Sequence, residues 1–243
     1  MAERTIEELN LMDDFLFQEV LSDEEEGREA AKILLGTIMN EELGEITVRT
    51  QKVATGGSPG RHGIRMDVYL EAEPDSPEEK GIVCDMEVQN TDTRNLPERT
   101  RYYQALIDSR ILKPGENYKN LARLLIIVIA PVDLFGYDRN CYTFEQRCME
   151  IPELSLNDGA RRIFLYSKGK TGERKELAEL LHYIEKSCPE NAVNDATRRL
   201  HQIVNHVKHN EEVGVRYMKA IEYEYMIRER AQKEGMEKAC KKV

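Results

Sequence analysis

The run LARLLIIVIA, residues 121–130, limits most tightly what this chain can fold into. It is apolar apart from Arg123, it lacks any alternation, and Pro131 stops it at once. Such a run reads as a strand covered on both faces, and strands of that kind lie in the interior of open sheets flanked by helices. Two segments before it behave differently. In RHGIRMDVYLEAE, residues 61–73, Met66, Val68 and Leu70 point one way, and Arg65, Asp67 and Tyr69 the other. In GIVCDMEVQ, residues 81–89, Cys84, Met86 and Val88 share one face while Asp85, Glu87 and Gln89 share the opposite one. An earlier segment, EITVRTQKVATGG, is rich in β-branched residues and predicts a strand that ends at Gly56, Gly57, Pro59 and Gly60.

The remaining patterns are mostly helical. Residues 5–40 predict helix with a break at Gly27, and residues 96–112 predict another, with Pro97 near its start and Tyr103, Leu106, Ile107 and Ile111 along one stripe. RRIFLYS, residues 161–167, predicts one more strand. From Arg174 onward only helical patterns remain, broken near Pro189 and Gly214. The expectation is an α/β fold in the order α-β-β-β-α-β, a mixed sheet flanked by helices. At 243 residues, one core domain over 1–170 with a helical C-terminal extension over 171–243 is the expected division.

Composition excludes several classes. No apolar run reaches the roughly 18 residues that a membrane span needs, so no membrane partner is expected. The acidic start MAERTIEELN is unlike a secretory signal, which predicts a cytoplasmic protein. Five cysteines, none in a CxxC pair, read as free thiols. His201, His206 and His209 stand five and three residues apart, a spacing that does not put all three on one helix face for a metal. The glycines at 56, 57 and 60 lack the lysine and hydroxyl of a phosphate-binding loop.

A formal net charge of −10 argues at first against a nucleic-acid partner. The charge is unevenly placed, however. Residues 1–30 hold eleven Asp and Glu against Arg4 and Arg28, whereas Arg94 to Arg123 holds seven basic residues against three acidic ones. That second stretch can face phosphates.

The chemistry is carried by Asp67 on one predicted strand and by Glu87 with Gln89 on the next. Paired as a hairpin, these strands would bring the two carboxylates within about 4–6 Å, as one shared ion requires. Hard divalent cations such as Mg2+, or Mn2+ in its place, take oxygen ligands and activate water for attack at phosphorus. Gln89 can orient that water or the phosphate, but a neutral amide is no strong base. Arg99, Arg101 and Tyr103 are candidate contacts to the DNA backbone, since guanidinium forks match phosphate.

RMDVYLEAE, DMEVQ, ERTRYYQALIDSRILKPGENY and the early DDFLFQEVL together resemble the recombination-promoting nuclease/transposase family of the PD-(D/E)XK phosphodiesterases. The resemblance covers roughly residues 10–130, with an echo in AQKEGMEKA. It implies a restriction-endonuclease-like core and a metal-dependent DNA endonuclease associated with recombination. By this resemblance Asp67 is the motif aspartate, Glu87 the second acid and the carbonyl of Val88 a backbone metal ligand. Gln89 stands where the wider class has lysine. Asp14, ahead of Phe15 and Phe17, would be an accessory acid. A homodimer would supply the two sites that a double-strand cut needs. Two rival readings remain open: a catalytically inactive protein that keeps the fold and acts through its C-terminal helices, and an RNA nuclease.

Overall fold

A computed structural model describes residues 4–50, 53–54, 64–65, 68–73, 80–90, 95–112 and 114–240 of the chain. After a short 3-10 turn at Ile6–Glu8 come helices α1 (Asp14–Ser22) and α2 (Glu26–Met39), then strands β1 (Ile46–Thr50), β2 (Val53–Ala54), β3 (Ile64–Arg65), β4 (Val68–Ala72) and β5 (Ile82–Val88). Helix α3 (Leu96–Ile111) leads to β6 (Arg123–Ala130), β7 (Cys141–Phe144) and β8 (Ala160–Tyr166). Helices α4 (Lys175–Glu185), α5 (Asp195–Lys208) and α6 (Glu211–Cys240) follow.

The main sheet has six strands in the order β1-β4-β5-β6-β8-β7, and β2 and β3 form a separate pair. The pairs β1–β4, β4–β5 and β7–β8 are antiparallel, whereas β5–β6 and β6–β8 are parallel. Parallel neighbours need a long crossover, and α3 supplies the one between β5 and β6. This is the mixed sheet flanked by helices that the sequence predicts. The apolar run behaves as its composition requires, since every residue from Leu124 to Ala130 is buried.

Alternation along β4, β5 and β6 sorts the two faces. Leu70, Met86, Leu125 and Ile127 join Leu16 and Phe17 of α1, Leu34 of α2, Leu181 of α4 and Ile203 of α5 in one core. Tyr69, Val83, Leu124 and Ile126 meet Tyr103 and Ile107 of α3 on the other face. Helices α4 and α5 are thus seated in the same core as α1 and α2. α6 is attached at its first turns, where Tyr217 packs on Phe15 and Arg216 pairs with Glu19.

Three local expectations differ from the structure. The break between α1 and α2 falls at Asp23, whose carboxylate accepts the backbone N–H groups of Glu25 and Glu26 at 2.9 and 2.8 Å. Gly27 instead lies inside α2, where a Cβ would stand 2.8 Å from the carbonyl oxygen of Leu21. Glycine therefore permits the close approach of the two helices. Gly27→Ala is expected to destabilise the protein by about 1–3 kcal/mol through overpacking, despite alanine's better helix propensity, and equilibrium unfolding in urea would show it. The last helix begins at Glu211 rather than breaking at Gly214, because Asn210 caps it by accepting from the N–H of Glu212 at 2.9 Å. Strand β7, a four-residue edge strand, has no counterpart in the sequence reading.

Candidate active site

The site is built around the C-terminal half of β5. Ile82, Cys84, Met86 and Val88 enter the larger core, so Val83, Asp85 and Glu87 face α3. Asp85 is fully enclosed and Glu87 is 4% exposed. Burying carboxylates is costly unless a positive partner accompanies them. The first turn of α3 brings that partner. The Nη2 atom of Arg99 donates to Glu87 Oε2 at 2.6 Å and to Gln89 Oε1 at 2.8 Å. Gln89 is fixed in turn by its backbone N–H, which donates to the carbonyl of Ile129 at 2.8 Å.

Burial pushes the Glu87 carboxyl above its ordinary pKa; the Arg99 guanidinium and a hydrogen bond from the Tyr103 hydroxyl pull it back, and the negative charge of Asp14 raises it. Burial, with Glu87 close by, also raises the Tyr103 phenol, which therefore remains a protonated donor. The Asp85 charge is felt by both Tyr69 and Tyr103.

The charge of Asp14 is felt at Glu87 although α1 packs against the opposite face of the sheet. The Asn90 side-chain amide donates to the carbonyl of Met12 and ties the start of α1 to the end of β5. The other early acids are engaged elsewhere. Asp13 holds Arg4 at 2.8 Å, and Glu19 holds Arg216 at 2.7 Å. Among the acids of this helix, Asp14 is the one whose charge acts on Glu87.

Asp67 lies outside the described residues, as does Met66. The β4 and β5 pairing is described as far as Val68 opposite Met86; Asp67 precedes the first of these residues and Glu87 follows the second. The side chain of Val88 is buried in the larger core. Arg101 is exposed, whereas Tyr103 is buried and Arg99 points inward to Glu87. Arg123 is clamped on Glu41 at 2.9 and 3.0 Å, so it is not free for phosphate. Arg94 and Lys113 fall outside the described residues. Sequence reasoning singled out neither the enclosure of Asp85 nor the inward turn of Arg99. The signal for both was the spacing of Asp85, Glu87 and Gln89 in a strand of buried residues, which calls for a cation from the next element.

Among the described residues no three His, Cys, Asp or Glu side chains gather to hold a metal. His201 bonds Tyr183 and Asn205, and His206 bonds Glu26, while His209 bonds its own helix. The donors at Glu87 nevertheless suit a hard cation. A carboxylate oxygen and an amide oxygen converge on a single positively charged nitrogen, so the two oxygens already define a cation position. The site also lies near the carboxyl end of a parallel strand, where open α/β sheets bind ligands.

No helix among the described residues is long and apolar enough to cross a membrane. No curated protein and no solved structure matches the chain. A family model, PD-(D/E)XK nuclease family transposase, matches residues 11–230. Nucleases of this class generally use divalent metal ions. With the match spanning nearly the whole chain, from the turn before α1 into α6, the protein belongs to the PD-(D/E)XK nuclease family transposases.

Proposed function

We propose that the protein is a metal-dependent DNA endonuclease, acting in recombination or transposition, with Asp67 and Glu87 as the paired metal ligands. The observation that carries this reading is the convergence of Glu87 and Gln89 oxygens on one cationic atom inside the sheet. Glu87 and Asp67 would bind Mg2+, or Mn2+ in its place, with the Val88 carbonyl as a backbone ligand and Asp14 as an accessory acid. A bound ion would lower the pKa of a water and neutralise charge at the scissile phosphate. Gln89 would hold that water or the phosphate in line. Tyr103 holds Glu87 from the α3 side through its hydroxyl. Exposed Arg101 would contact the DNA backbone, whereas Arg99 and Tyr103, the other contacts expected from the sequence, are turned inward to Glu87. A cytoplasmic homodimer would give two such sites on one duplex.

The test is nicking of supercoiled plasmid with Mg2+, Mn2+ or EDTA, with a matched RNA run in parallel. The wild type should nick DNA with either ion and not in EDTA, and Asp67→Ala should be inactive. Equal nicking by both proteins would remove the enzyme reading at this site. Cleavage confined to RNA would reassign the substrate. A folded, metal-binding chain that cuts neither would favour the non-catalytic interaction protein.

A further inference from the structure

We infer that Arg99 is an exchangeable counter-ion for Glu87, holding the carboxylate in the metal-free protein and giving it up when a divalent cation takes that carboxylate. The inference rests on the reading of Glu87 as a metal ligand.

Three features separate this contact from a permanent structural salt bridge. First, it is not a fork. One nitrogen, Nη2, serves both Glu87 and Gln89, and Nε is enclosed with no hydrogen bond among the described residues. A guanidinium that grips a carboxylate most strongly presents two N–H groups to it. The same chain does so elsewhere: Arg123 grips both oxygens of Glu41, Arg199 both of Glu29 and Arg216 both of Glu19.

Second, the two partners differ in freedom. The Glu87 side chain is 5% exposed, near the carboxyl end of an interior strand, whereas that of Arg99 is 25% exposed at the start of a helix. Arg99 is therefore the more accessible of the two partners. Its guanidinium also lies 5.7 Å from the centre of the Tyr103 ring, a weak resting place compared with a bidentate carboxylate.

Third, the occupied atoms coincide with the assigned ones. Nη2 stands within hydrogen-bond reach of both the Glu87 carboxylate and the Gln89 amide oxygen, which are the oxygens assigned to metal binding and to positioning. Two cations cannot share that position. Without either of them Glu87 would be a buried, uncompensated charge. Arg99 therefore keeps the metal-free sheet intact at the expense of metal affinity.

The deciding experiment is a Mn2+ titration of the full chain followed by the electron paramagnetic resonance of the free ion. Arg99→Gln should bind Mn2+ about tenfold or more tightly than wild type, the scale of one charged hydrogen bond lost from the competing state. Arg99→Lys should fall between the two. Should Arg99→Gln fail to fold, the wild-type protein still answers the question through the Arg99 Nε–H resonance, assigned by its disappearance in Arg99→Lys. That resonance should shift as Mg2+ is added. Unchanged or weaker Mn2+ binding in the variants, or a stationary resonance while the ion binds, would overturn the inference. Failure of every variant and of wild type to bind Mn2+ would instead overturn the metal-site reading beneath it.

Discussion

Glu87→Gln should cut metal-dependent DNA cleavage by a factor of about 10³ or more, on the scale seen when one charge-stabilising group is removed from an active site. The substitution keeps the shape of the side chain and an oxygen that can still accept from Arg99, so the contact at 2.6 Å can be retained as a hydrogen bond from the guanidinium to a neutral oxygen. What disappears is the charge that would bind the ion. Because the wild-type carboxylate is buried and its pKa is raised by that burial, its neutral replacement should melt no lower than wild type at neutral pH. Glu98→Gln, at an exposed position one residue before Arg99, should leave cleavage unchanged and serves as the control. A cleavage assay and a thermal melt on the same three proteins read both effects. Loss of cleavage together with a lower melting point would point to a structural role for Glu87.

The largest stability effect is expected at Phe17. This side chain is 1% exposed and sits in the larger core with Leu16, Leu34 and Met86. Phe17→Ala should cost about 3–5 kcal/mol, the lost transfer energy plus the cavity left behind. For a chain of this size that corresponds to a fall in melting temperature of roughly 10 °C. The effect should reach the site as well, because Asp14 lies three residues earlier on the same helix. A loosened α1 should lower cleavage below the melting range, whereas Gly214→Ala, where an added Cβ meets nothing within 4 Å, should do neither. Urea unfolding followed by circular dichroism, paired with cleavage well below the transition, measures both.

How far the sequence could be read follows from which interactions are local. Strand β6 was legible because a run buried on both faces leaves no other economical reading. Strands β4 and β5 were legible because strict alternation fixes their faces, and the observed division of Val68 and Leu70 from Tyr69, and of Met86 and Val88 from Val83, follows it. β7 was not, since four residues at a sheet edge carry too short a pattern and form a strand only where β8 offers free backbone groups. Gly27 and Gly214 misled for one reason: a glycine in a helix can mark close packing or open surface as well as a break.

The same distinction applies to the candidate site. The placing of Glu87 and Gln89 on one face needs only the two-residue period of a strand. The direction taken by Arg99 depends on how α3 docks on β5, which no local pattern encodes. Adjacent acids such as Asp13 and Asp14 are separated by the turn of the helix rather than by composition, so only the fold assigns one to Arg4 and sets the charge of the other against Glu87.

Crystals soaked in Mn2+ and recorded at an anomalous wavelength would address the heart of the account. A single anomalous peak at bonding distance from carboxylate oxygens of both Asp67 and Glu87 is the predicted result. A peak elsewhere, or one held by Glu87 with Asp67 turned away, would contradict it.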